Sequence, residues 1–87
     1  MKYKLVFAKS AEKELDRLTG SDLKRVSRKL EELEVDPRPP GCLKLKGSDE
    51  DMWRVRAGDY RILYAIEDVL RIVDIRKIGH RSDVYDR

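Results

Sequence analysis

At 87 residues the chain has room for one hydrophobic core and not two, so it reads as a single domain over residues 1–87. A hydrophobic share of 40%, gathered in periodic runs, argues against disorder despite 43% charged residues, and a single cysteine excludes an intrachain disulfide. Lys and Arg outnumber Asp and Glu by 20 to 17, a mild basic excess that suits an anionic partner without identifying one.

The opening "MKYKLVFAKS" lacks the apolar core of a secretory signal, and no run approaches the length that spans a bilayer. One His and one Cys are too few for a structural zinc site, so no metal is expected. The composition reads as soluble and cytoplasmic, with Cys42 a reduced thiol that nothing nearby marks as activated.

"YKLVF", residues 3–7, is a short run of strand formers. Ser10 then stands where a helix cap would, and Ala11, Leu15 and Leu18 recur at helical spacing with charged residues between them. "TGSD", residues 19–22, breaks the pattern and offers Ser21 as a second cap. Leu23, Val26, Leu30 and Leu33 form the next stripe, so the segment predicts a helical hairpin with a narrow apolar seam. The prolines of "DPRPPG", residues 36–41, end the second helix and make a stiff connector. Four strand-like runs follow: "CLKLK", "MWRVR", "YRILYAI" and "VLRIVDIRKI". The expected fold is α+β: a small antiparallel sheet with an N-terminal strand and a two-helix hairpin packed on one face.

Strand parity sorts these side chains between two faces. A tight hairpin over 57–60 sets Arg56 opposite Arg61, Arg54 opposite Leu63 and Val55 opposite Ile62. One face then holds Trp53, Val55, Ile62, Tyr64, Val73 and Ile75, which suits a core. The other collects Arg54, Arg56, Arg61, Asp74 and Arg76. Like charges facing across strands cost about 0.2–1 kcal/mol per pair, so three arginines together suggest that an anion is expected there. The alternative is that Asp74 and neighbouring acids neutralise an ordinary solvated face. Trp53, Tyr60 and Tyr64 are expected in the core or at its margin.

"WRVRAGDYRILY" followed by "IGHRSDVY" resembles the RelE/ParE superfamily of type II toxins, and the likeness covers nearly the whole chain. The RelE-like branch implies ribosome-dependent cleavage of mRNA, with no cofactor or metal, and a cognate antitoxin as protein partner. Under that resemblance Arg61, Arg81 and Tyr85 take catalytic positions, and Arg54 and Arg56 take the place of an RNA-binding basic pair. His80 stands where several members carry a lysine. The ParE-like branch implies a non-enzymatic gyrase inhibitor instead, and a third alternative is an inactive homologue that only binds antitoxin.

The implied reaction is attack of a ribose 2′-OH on the neighbouring phosphate. Arg61 suits stabilisation of the phosphorane, since a guanidinium grips phosphate oxygens through a planar fork. Tyr85, with a reference pKa of about 10, serves as base only if surrounding arginines favour its phenolate. Arg81 is a reluctant acid at a pKa above about 12, whereas His80 at about 6.5 suits proton transfer near neutrality. His80 and Arg81 are adjacent, and neighbours in extended chain point opposite ways.

Overall fold

Among the described residues, five strands and two helices follow one another as β1 (Lys4–Phe7), α1 (Lys9–Arg17), α2 (Gly20–Val35), β2 (Leu43–Lys44), β3 (Met52–Ala57), β4 (Tyr60–Glu67) and β5 (Ile72–His80). This computed structural model describes residues 2–46 and 51–80. The helices form where the apolar stripes recur, and they bury Ala11 from α1 and Val26, Leu30 and Leu33 from α2. Neither proposed serine cap is used. Ala8 and Thr19 occupy the cap positions without a side-chain cap bond, and Ser10 lies inside α1 with its hydroxyl donating to the Arg76 carbonyl at 3.5 Å. Gly20, at φ 59°, lets α2 begin after only Leu18 and Thr19 have intervened.

The strands form one sheet in the order β1-β5-β4-β3-β2. The run from β2 to β5 is antiparallel, as expected, but β1 joins β5 in parallel, with Leu5 beside Val73 and Phe7 beside Ile75. The sheet is therefore mixed. Alternation along a strand reports which face a residue occupies and is blind to the direction of pairing. β2 is also shorter than the "CLKLK" pattern suggests.

One face of the sheet carries Val55, Ala57, Ile62, Tyr64, Val73, Ile75 and Ile78, all buried beneath the helices. α1 lies over β5, and α2 over β3 and β1. The β3–β4 register is the one parity predicts: Trp53 opposite Tyr64, Arg54 opposite Leu63, Val55 opposite Ile62 and Arg56 opposite Arg61. Gly58 takes φ 65° at the first central position of the two-residue turn, where a type II′ hairpin requires it. The β4–β5 turn differs from expectation. Val69 and Leu70 belong to the turn, both largely exposed, Arg71 adopts φ 54°, and the strand starts only at Ile72.

The Tyr64 hydroxyl donates to the Pro37 carbonyl at 2.7 Å, which ties the proline connector to the core. Beside it, Arg38 donates twice to Asp68, at 3.2 and 2.9 Å, and Tyr3 donates to the same carboxylate at 2.8 Å. Those donors hold Asp68 below the usual carboxylate range. No helix among the described residues is long and apolar enough to cross a membrane.

Candidate anion-binding site

On the face away from the helices, β3 and β4 bring Arg54, Arg56 and Arg61 together. Each strand exposes alternate residues, and the tight turn aligns Arg56 with Arg61 directly, with Arg54 one two-residue step along β3. Arg54 and Arg61 are half-buried, whereas Arg56 is exposed. Burial, followed by the charges of Arg61 and Arg56, pushes the Arg54 guanidinium below its ordinary pKa. Arg54 therefore senses the charge of both neighbours. The Nε of Arg61 is buried and has no hydrogen-bond partner among the described residues.

β5 completes this end of the face in an unexpected way. A bulge between Leu63 and Tyr64 shifts the β4–β5 register, so Leu63 faces Lys77 while Tyr64 faces Ile75. Lys77, not Arg76, is thus the basic residue that β5 contributes beside the arginines. Arg76 instead pairs with Asp74 at 3.6 Å. Asp74 lies opposite Ala65, four residues along β4 from Arg61, or about 13 Å at strand rise. Asp74 is thus placed away from Arg61. Gly79 is the partner of Arg61 across β4–β5, so no side chain of β5 stands directly against that guanidinium.

His80 lies elsewhere. It pairs with Tyr60, on the helix-covered side of the sheet, and the two rings meet edge to face at 5.6 Å and 84°. The alternation that brings Arg61 to the open face sends Tyr60, its neighbour, and His80 to the other. Arg81 and Tyr85 lie outside the described residues. Trp53 packs against the core, as expected, with Arg38 and Lys44 stacked over its ring at 5.2 and 5.9 Å.

Chemically, the cluster is suited to holding phosphate. Paired guanidiniums on a rigid sheet present planar donor forks at fixed spacing, and their mutual repulsion is relieved when an anion binds. No group of three or more His, Cys, Asp or Glu side chains among the described residues could hold a metal ion.

A family model described as the ParE toxin of the type II toxin–antitoxin system parDE matches residues 5–85. The protein named RelE1 of Methanocaldococcus jannaschii is 38% identical over 88 residues, covering 98% of this chain and 97% of that protein. Among solved structures, the archaeal RelE–RelB complex from Pyrococcus horikoshii OT3 superposes with a TM-score of 0.80 at 28% identity, covering 97% of this chain and all of that one. The intact RelBE toxin–antitoxin complex of E. coli gives 0.76 at 29% identity, with 90% and 95% of the two chains covered.

Proposed function

This chain belongs to the RelE/ParE superfamily of type II toxin–antitoxin toxins, and from that premise we propose that it is a ribosome-dependent mRNA endoribonuclease held in check by an antitoxin. The observation that carries the reading is the Arg54–Arg56–Arg61 cluster, with its depressed Arg54 and the Nε of Arg61 unpartnered among the described residues. Like charges facing one another across adjacent strands are destabilising, and a bound anion offsets that cost.

In the proposed reaction a ribose 2′-oxygen attacks the adjacent phosphorus and the 5′-oxygen of the next nucleotide leaves. Arg61 holds the non-bridging oxygens as charge builds on them, and Arg54 and Arg56 grip flanking phosphates. Tyr85 takes the 2′-proton and Arg81 gives a proton to the leaving 5′-oxygen, as the resemblance implies for both. The proposal gives His80 a packing role against Tyr60. The antitoxin partner is supported by the RelB-bound state of similar structures, which are themselves toxin–antitoxin complexes.

The test is in vitro translation with primer extension. New mRNA ends are expected only when ribosomes and the toxin are both present. Arg61→Ala should cut the rate on the order of 10²–10³-fold while leaving the thermal transition in place, the usual cost of losing one transition-state donor. His80→Ala should keep the rate within a few-fold, and its collapse would return His80 to the chemistry. The ParE description of the matching family model supports a second reading, non-enzymatic inhibition of gyrase. Inhibited supercoiling without new mRNA ends would establish that one instead.

A further inference from the structure

The open-face arginines do not end at the rim of the sheet. Ser21, Lys24, Arg25, Arg28, Lys29 and Glu32 recur at i, i+3, i+4, i+7, i+8 and i+11 along α2, so they form one row on the helix. That row faces Arg56, Ala57 and Gly58 across a groove of about 430 Å³. A second groove of about 390 Å³, shared through Lys29 and Arg56, leads on to Arg54. β2 pairs only with Trp53 and Arg54, so among the described residues no strand covers β3 at Arg56, and the helix row overlooks that edge.

The charge on this track is one-sided. Lys24, Arg25, Arg28 and Lys29 contribute four cations, and Glu32, bound to Lys29 at 3.2 Å, is the one acid among the described residues that line the groove. Lys24, Arg25 and Arg28 have no ion-pair partner among the described residues. The pairs Lys24–Arg28 and Arg25–Lys29 are like charges at i,i+4, a spacing that weakens a helix. Arg25 is also held in place. Its Cδ lies 2.8 Å from where a side chain on Gly58 would begin, so its stem lies over the hairpin turn.

We propose that the RNA path runs from the arginine face around the β3 edge onto α2, where Lys24, Arg25 and Arg28 hold phosphates flanking the cleaved bond. This inference rests on the ribonuclease reading and extends it to a second surface. Continuity with Arg54 and Arg56, which the ribonuclease reading assigns to RNA phosphates, favours a phosphodiester backbone over an acidic peptide.

The test uses a labelled 20-nucleotide single-stranded RNA and, separately, polyglutamate of equal charge, titrated at several salt concentrations. The double variant Lys24→Ala, Arg28→Ala changes two exposed helix positions to the best helix former, so an unchanged thermal transition is expected and checked. RNA affinity should fall on the order of tenfold, and the slope of log affinity against log salt should flatten by roughly 1.4, the single-strand increment for two phosphate contacts. Wild-type RNA affinity and slope in the variant would overturn the proposal, as would a loss confined to polyglutamate. Ribosome-dependent cleavage is scored in parallel on the wild type. Cleavage with unaltered RNA binding in the variant sinks the track alone; weakened binding with no wild-type cleavage sinks the ribonuclease reading and leaves the track as an RNA surface.

Discussion

Tyr64 is completely buried yet carries a hydroxyl, and a buried hydroxyl needs a partner. It finds one in the Pro37 carbonyl, so a single side chain joins the sheet to the connector that ends α2. Removing it as Tyr64→Phe is expected to cost about 1–2 kcal/mol, since the carbonyl is left without its donor. Desolvation, with a smaller contribution from Cys42, raises the phenol above its ordinary value of 10.0. The folded state therefore binds that proton more tightly than the unfolded state does. The resulting stabilisation is complete below pH 10 and is lost as the pH climbs beyond it. Urea midpoints measured from pH 8 to 11 should fall in the wild type at the alkaline end and fall less in the variant.

Among the elements, the β3–β4 hairpin has the least tolerance. Gly58 meets two demands at once, a positive φ of 65° and clearance for Arg25. Gly58→Ala should destabilise by about 1–3 kcal/mol from backbone conformation, and displacement of Arg25 adds to it. Chemical denaturation reads the first effect, and RNA affinity reads the second. This hairpin was legible in the sequence, because a two-residue turn and a period of two leave parity no freedom: Arg56 had to face Arg61. β5 was not legible to the same degree. Its bulge adds one residue, which substitutes Lys77 for Arg76 beside the arginines, and nothing in an alternating pattern announces an extra residue. The helix caps also escaped, because Ser10 and Ser21 have the right chemistry but stand inside the helices.

For the molecule as a whole, a net charge of +3 says little, because what matters is where the charges fall. The open sheet face is polarised along its strands. Arg54, Arg56, Arg61 and Lys77 occupy one end, while Asp51, Glu67 and Asp74 line a groove with Val6, Ala65 and Ile72 at the other. The α2 row adds to the basic end only because the fold sets that helix against the edge of β3 at Arg56. Sequence spacing could show a row on a helix, but a row becomes a groove only with a second wall, and that wall lies some thirty residues further along the chain. The arginine cluster was readable because it is made by local hairpin pairing; the track was not, because it is made by tertiary packing.

The parallel pairing of β1 with β5 has a consequence in time. The first strand to be synthesised has no neighbour in the sheet until the fifth exists, since Lys4 must wait for Ile72 and Phe7 for Ile75. Contacts this distant along the chain form late and slowly. A nascent or prematurely halted chain lacking β5 therefore carries its three arginines on an unfinished sheet, with Leu5 and Phe7 unpaired. A cell making this protein is exposed to a finished toxin only once the strand that leads into Arg81 has itself been made.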